Sequence, residues 1–280
     1  MNKKIAFIFG ITGQDGSYLA NLLINKNFKI FGFTRSKKKK NLVNLEKLSI
    51  LDKVSLFEYL KNDNKFIEKK ILKIKPSQIY ILSGLSSVKK SFSSPIETYR
   101  SNIIIPFKIL EICRKKKLDI KIYNSVSTDC FGNQKTKLNE RSNFYPVSPY
   151  AKSKSYAYWL IKYYRETFNV KCVSGIVSNH ESILRNKNVV TKKIIEYIKN
   201  FDFKKKLIMG NTNVYRDWGW APDYVDAIHK INSSEKRSDY VVATGKSTSL
   251  DYFIKKAFSI IKIYPVSYTH LRAHETLMNL

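Results

Sequence analysis

Cysteines, acidic side chains and long apolar stretches are scarce in this chain, and each scarcity removes a class of protein. Only three cysteines occur, Cys113, Cys130 and Cys172, far apart and without a CxxC pair. Such an odd, sparse set supports neither a disulfide scaffold nor a zinc site, and it suits a reducing cytoplasm. No apolar run approaches the roughly 20 residues that cross a bilayer, so no membrane span is expected. Residues 5–11 are apolar and follow two lysines, as in an export signal. They run straight into a glycine pattern, however, and read as a first strand.

Asp and Glu total 22 against 51 Lys and Arg, a net charge of +29. An excess of that size ordinarily points to nucleic acid or an anionic membrane. Here it is nearly all lysine, with nine arginines in 280 residues. Asparagine and isoleucine are abundant too, the pattern of an A/T-rich coding bias. The basic residues are spread over the whole chain, with short runs at 37–40 and 115–117. The charge therefore reads as a solvated lysine surface, one that attracts anionic ligands such as nucleotides but is not a nucleic-acid face. With 43% hydrophobic and 26% charged residues, the chain has the balance of a globular protein of one large or two modest domains.

Hydrophobic patterning predicts strands at residues 4–9, 28–33, 54–57, 78–82, 120–126 and 171–177. Between them it predicts helices at 17–25, 64–74, 96–116 and 150–168, the third interrupted near its start by Pro106. Residues 36–41, SKKKKN, read as a charged loop. Strands alternating with helices imply βαβ units and a parallel sheet with right-handed crossovers. Beyond about residue 178 the alternation blurs: a helix at 191–200, a segment at 218–231 that begins in a loop, a short strand at 239–243 and a helix at 249–260. Residues 265–280 hold no lysine and two of the four histidines, His270 and His274, and read as a foreign tail.

Gly10, Thr12, Gly13, Gln14, Asp15 and Gly16 lie in GITGQDG, a GxxGxxG pattern between a strand and an amphipathic helix. Glycine lets the backbone turn tightly and approach a pyrophosphate, which the helix N-terminus then attracts. The expected fold is α/β: a doubly wound parallel sheet of the Rossmann type with a smaller C-terminal substrate-binding region. The dinucleotide-binding domain is expected over 1–178, with 221–245 returning to it, and the substrate region over 179–264. At the end of the second strand stands Phe33-Thr34-Arg35-Ser36, with no acid for a ribose 2′-hydroxyl. Arg35 suits a 2′-phosphate, so NADP is the expected cofactor; the alternative is that Arg35 is one more surface cation.

Tyr150 and Lys154 form YxxxK, which on a helix share one face. The ammonium lowers the phenol pKa and can hold a nicotinamide ribose, and the phenolate can act as general base on a sugar hydroxyl. Ser127 and Asp129 follow the fifth strand, where parallel sheets bind ligands. A capping or turn role is the competing reading for both.

These features together resemble an extended short-chain dehydrogenase/reductase. The strings GITGQDGSYLA (10–20), SPYAKSK (148–154), NHES (179–182), VTKKI (190–194) and MGNTNVYRDWGWAPDYVDA (209–227) resemble the GDP-mannose 4,6-dehydratase family, a match running from residue 5 to about 262. The resemblance implies NADP and GDP-mannose as ligands and GDP-4-keto-6-deoxymannose as product. The reaction it implies is C4 oxidation, loss of water across C5–C6 and hydride return. It makes Tyr150 the base at the C4 hydroxyl and Lys154 its partner. Ser127 stands at a family threonine that bonds O4, and Asp129 at a family glutamate that takes the C5 proton. It places Asn179, Lys193 and Arg216 at the sugar nucleotide, His180 and Arg185 at the cofactor, Leu82 at the cofactor, and Ser86 at both. Departures are Leu60-Lys61 at an adenine-contacting Asp-Leu pair, Leu85 at a glutamine, and SKKKKN at an Arg-Ser loop that reaches a neighbouring subunit. The family also implies a homo-oligomer, dimer or tetramer, and chains several tens of residues longer, so the substrate region is expected to be truncated. The alternatives are a 4-epimerase or 4-keto reductase of the same superfamily, or a truncated non-catalytic dinucleotide-binding fragment.

Overall fold

Isoleucine, phenylalanine and valine recur in short runs along the first 178 residues, and in the computed structural model these runs become strands, the central ones buried on both faces. The structure describes residues 3–59, 64–134, 136–202 and 206–262. The elements in chain order are β1 (Ile5–Phe9), α1 (Gln14–Asn25), β2 (Lys29–Thr34), α2 (Val43–Lys47), β3 (Val54–Glu58), α3 (Asn64–Ile74) and β4 (Gln78–Ile81). There follow α4 (Val88–Ser93), α5 (Pro95–Lys115), β5 (Lys121–Ser127), α6 (Pro149–Phe168) and β6 (Cys172–Val177). The remainder is β7 (Asn179–Glu181), α7 (Val190–Lys199), β8 (Tyr215–Trp220), α8 (Ala221–Ser233), β9 (Tyr240–Val242), β10 (Ser247–Ser249) and α9 (Leu250–Ile260).

The chain divides into two compact units, Met1–Ser178 with Trp220–Val242, and Asn179–Gly219 with Ala243–Leu280. The larger unit holds a seven-stranded sheet in the order β3-β2-β1-β4-β5-β6-β9, with every neighbouring pair parallel. Period-two alternation splits its core in two. Phe7, Phe9, Ile79, Ile81 and Ile122 face α3, α5 and α6, where Ile67, Ile71, Ile109 and Ile161 cover them. Ala6, Ile8, Ile30, Tyr80 and Tyr123 face α1 and α8, where Leu19, Leu23, Val225 and Ile228 cover them. The strand order reverses between β1 and β4, and the crevice at their C-terminal ends is where doubly wound sheets take ligands. The smaller unit has a three-stranded sheet, β10-β8-β7, and an apolar cluster built on Ile194 of α7 and Leu250, Ile254 and Phe258 of α9.

Three expectations are corrected. Pro106 does not interrupt its helix, since α5 runs unbroken from Pro95 to Lys115. A proline inside a helix costs about 3 kcal/mol, but here Ile105, Pro106, Ile109, Leu110 and Cys113 form a buried stripe whose packing outweighs it. Residues 36–41 are not simply a loop: Lys39–Asn41 is a 3-10 turn leading into α2. Segment 218–231 begins in strand β8, paired antiparallel with β10, and not in a loop. Leu60, Lys61 and residues 265–280 lie outside the described residues.

The edge strand β9 is anchored by charge. The Arg165 guanidinium donates through Nη1 and Nη2 to the two Asp239 carboxylate oxygens at 2.8 and 2.7 Å, and Asp239 also accepts the Ser174 N–H at 2.6 Å. The two side chains are only 11% and 6% exposed. Removing one partner of a buried, bidentate pair leaves the other uncompensated, at a cost of about 3–5 kcal/mol. Asp239→Ala should lower unfolding free energy by that amount in urea titration, and a loss under 1 kcal/mol would show the pair to behave like an exposed one.

Candidate active site

Four glycines decide the shape of the crevice. Gly10, at the end of β1, has φ +87°, and a Cβ there would stand 2.8 Å from the Ser83 nitrogen. Gly16, in the first turn of α1, lies so close to the loop that a Cβ would collide with the Gly10 carbonyl. Gly13 closes the turn, donating its N–H to the Gly10 carbonyl at 3.0 Å. It is also the N-cap of α1, which no side chain caps. Thr12 is held from outside by Asn44 of α2, whose amide donates to its carbonyl at 3.1 Å. Gln14 is buried and donates to the Asp15 carboxylate at 3.1 Å.

The fourth glycine, Gly84, follows β4 in the loop that carries Leu82 and Ser86. Its φ is +151°, and a Cβ there would strike Asn102 Oδ1 and stand 3.8 Å from Lys154 Nζ. Leu82 packs against the sheet core and donates its N–H to the Phe9 carbonyl, whereas Ser86 is exposed. Asn102, on α5, is 2% exposed and ties this loop to α6. Its Oδ1 accepts the Leu85 N–H at 3.0 Å, and its Nδ2 donates to Ser153 Oγ at 2.8 Å. Nothing in the sequence singled out Asn102, because the partners that give it a role lie 17 and 51 positions away.

Helix α6 begins with Ser148 as N-cap, accepting the Ala151 N–H at 3.1 Å, and Pro149 in its first turn. That start places Tyr150 and Lys154 one turn apart, both 8% exposed. Lys154 Nζ donates to the Ser125 carbonyl of β5 at 2.8 Å. Burial pushes its pKa down to about 8, while Cys130 and Asp15 act the other way. Ser127, last residue of β5, caps the 3-10 turn Thr128–Phe131 by accepting the Asp129 N–H at 3.2 Å. Cys130 behind it is fully buried, its thiol pushed up to about 11 by desolvation.

The glycine loop, the loop after β4, Ser127, Asp129, Tyr150 and Lys154 thus share the C-terminal edge of one sheet. Arg35 stands just past β2 and is exposed. The remaining candidates belong to the smaller unit. Asn179 and buried His180 lie on β7. Arg185 Nε pairs with Glu181 Oε2 at 3.1 Å. Lys193 is exposed on the first turn of α7, and exposed Arg216 on β8 donates to the Tyr215 carbonyl at 2.8 Å. Asp217 holds the turn before β10, accepting the Thr244 and Gly245 N–H groups at 3.0 and 2.8 Å.

A glycine-lined crevice at a sheet switch point, flanked by a tyrosine and lysine one helical turn apart, is the arrangement of the extended short-chain dehydrogenase/reductases. Solved structures of that fold superpose closely. UDP-glucose 4-epimerase from Thermotoga maritima matches with a TM-score of 0.83 at 18% identity, over 96% of this chain and 87% of that one. dTDP-glucose 4,6-dehydratase from Bacillus anthracis, solved with NAD, matches at 0.81 and 18%, over 92% and 81%. Among curated proteins, GDP-mannose 4,6 dehydratase of Drosophila melanogaster is 36% identical over 92% of this chain and 68% of its own length. The Vibrio cholerae enzyme of that name is 36% identical over 91% and 71%, and the human one 33% over 91% and 72%. The family model for GDP-mannose 4,6 dehydratase matches residues 7–275, and the chain belongs to that family.

The buried ammonium has a consequence for stability. Lys154 titrates near 8 in the folded chain against 10.5 when unperturbed. Between those values the unfolded state binds more protons, so stability rises with pH; below 8 the penalty is fully present. Lys154→Met should flatten the rise between pH 8 and 10 measured by urea unfolding. An unchanged slope would mean that the lysine is not held out of water.

Proposed function

We propose that the chain converts GDP-mannose to GDP-4-keto-6-deoxymannose with NADP as cofactor. The observation that carries this reading is the grouping of Ser127, Asp129, Tyr150 and buried Lys154 beside the glycine loop, in a chain of this family. The crevice suits a dinucleotide. The backbone at Gly10 and Gly84 leaves no room for a side chain, and the uncapped N-terminus of α1 favours a pyrophosphate. The chemistry supplied by bound NADP is acceptance of hydride from sugar C4 and its return at C6.

The proton work falls to the chain. Tyr150, as phenolate, takes the proton of the C4 hydroxyl, and the Lys154 ammonium one turn away favours that phenolate. Ser127 Oγ already accepts the Asp129 N–H, which leaves its own proton to donate toward the sugar O4. Asp129 takes the C5 proton and assists departure of the C6 hydroxyl. Aspartate is one methylene shorter than the glutamate implied by the resemblance, so proton removal at C5 is the step most sensitive to its placement.

Arg35 supports NADP over NAD. Thr34 beside it bonds within its own turn, to the Ser36 carbonyl at 3.1 Å, and Glu58 accepts the Lys37 N–H at 3.0 Å. Leu82, Ser86, His180 and Arg185 are assigned to the cofactor, and Ser86, Asn179, Lys193 and Arg216 to the sugar nucleotide, with the smaller unit as the substrate-binding region. Three buried, unpaired thiols support a reducing cytoplasm. None of the described helices is long and apolar enough to cross a membrane. A homo-oligomer is supported by the exposed Ile104 and Phe107 on α5 and Tyr156, Trp159 and Tyr163 on α6.

Incubation with GDP-mannose and NADP+, followed by mass spectrometry, should show loss of one water with no net NADPH. An unchanged sugar nucleotide in a chain that binds NADPH would sink the reading. Tyr150→Phe and Asp129→Asn should each slow turnover by at least about 100-fold. Trp159→Lys should shift sedimentation toward the monomer, and an unaltered sedimentation coefficient would place the subunit contact elsewhere.

A further inference from the structure

One hydroxyl inside the YxxxK segment has no part in the proton transfers above. Ser153 is fully buried, next in sequence to Lys154 and three residues past Tyr150. Its Oγ donates to the Tyr150 carbonyl at 2.7 Å and accepts from Asn102 Nδ2 at 2.8 Å. The same amide clamps Leu85 from both sides: Oδ1 accepts its N–H at 3.0 Å, and Nδ2 donates to its carbonyl at 3.3 Å. Ser101 Oγ shares the Leu85 N–H at 3.2 Å. The hydrogen bonds therefore run in one direction, from the Asn102 amide to the Ser153 hydroxyl to the Tyr150 carbonyl.

We propose that Asn102 and Ser153 are a positioning pair that couples the dinucleotide loop after β4 to the helix turn carrying Tyr150. Neither side chain touches substrate. Asn102 sets the loop through Leu85 and the helix through Ser153, so a dinucleotide that orders the loop also sets the rotation of α6 that aims the phenol. Three observations carry this. The amide fills the space behind Gly84, where a Cβ would collide with its Oδ1. Lys154 Nζ approaches that same Cβ position to 3.8 Å, so the clamp lies next to the ammonium. A serine bonded back to the carbonyl of its own helix competes with the helix hydrogen bond there. The Ser153 hydroxyl takes that carbonyl as acceptor, and the amide from α5 holds the hydroxyl, so the turn at Tyr150 is tied to the loop.

The pair rests on the dehydratase reading only for its turnover readout. The test uses the full chain as wild type, Ser153→Ala, Ser153→Thr, Asn102→Ala and the double alanine variant. NADPH binding is followed by fluorescence, and kcat and KM for GDP-mannose are measured across pH. Ser153→Ala should lose about 10-fold in kcat, within the loss that small misplacements cause, with KM and NADPH affinity held within about 2-fold. Ser153→Thr, which keeps the hydroxyl, should recover most of the rate. Asn102→Ala should lose both NADPH affinity and kcat, and the double variant should be no worse than Asn102→Ala alone. Wild-type kcat in Ser153→Ala, no recovery with threonine, or additive losses would each overturn the pair. A wild-type chain that binds NADPH without dehydrating GDP-mannose would sink the reaction and not the pair. The pair would then stand or fall on Asn102→Ala weakening NADPH while Ser153→Ala does not.

Discussion

A lysine ammonium kept out of water is the constraint on which the rest of the site depends. Burying Lys154 is unfavourable for its charged form, and the protein offsets this with the Ser125 carbonyl and the charge of Asp15. Each comes from a different element. Ser125 belongs to β5, Asp15 to the first turn of α1, and Lys154 to the second turn of α6. The charge can be held only if the glycine loop brings the start of α1 to the sheet edge beside β5. That in turn requires Gly16, whose Cβ would strike the Gly10 carbonyl, and Gly10, whose Cβ would strike Ser83 in the loop after β4. The contacts that shape the glycine loop and those that hold the buried ammonium are thus one set.

The parallel sheet does the gathering. Every strand of the seven points its C-terminal end to the same edge, so the loops after β1, β2, β4 and β5 meet there although 117 residues separate Gly10 from Ser127. Helix α5 adds to this because it is continuous. Asn102 lies one turn before Pro106, and an interrupted helix would have freed its amide from both Leu85 and Ser153. Packing of the buried stripe around Pro106 therefore maintains geometry at the crevice as well as stability.

Elements whose pattern is local were legible in the sequence. The six strands up to β6 and the helices α1, α3, α5 and α6 follow from runs of apolar residues and from helical spacing, whereas the short α2 and α4 were not foreseen. GITGQDG and YAKSK announce themselves because their chemistry depends on residues close in sequence. The three short strands β7, β8 and β10 were not legible as strands. Each is a few residues of mixed polarity, and pairing alone makes them a sheet. Asp217 is a similar case: its carboxylate holds the Thr244 and Gly245 backbone, 27 and 28 positions away. Ser127 shows how two readings can both apply, since the hydroxyl caps a turn and still has a proton to give.

By itself, then, the sequence determined the alternation that makes a doubly wound sheet, the glycine loop, and the tyrosine and lysine on one helical face. All of these are set by spacings of a few residues. Tertiary structure alone decided that Lys154 is buried with a depressed pKa and that α5 passes unbroken through Pro106. It also decided that Asn102 and Ser153 join the loop after β4 to α6. Burial and hydrogen bonding across 17 or 51 positions depend on which surfaces the fold brings together, and no local pattern encodes that.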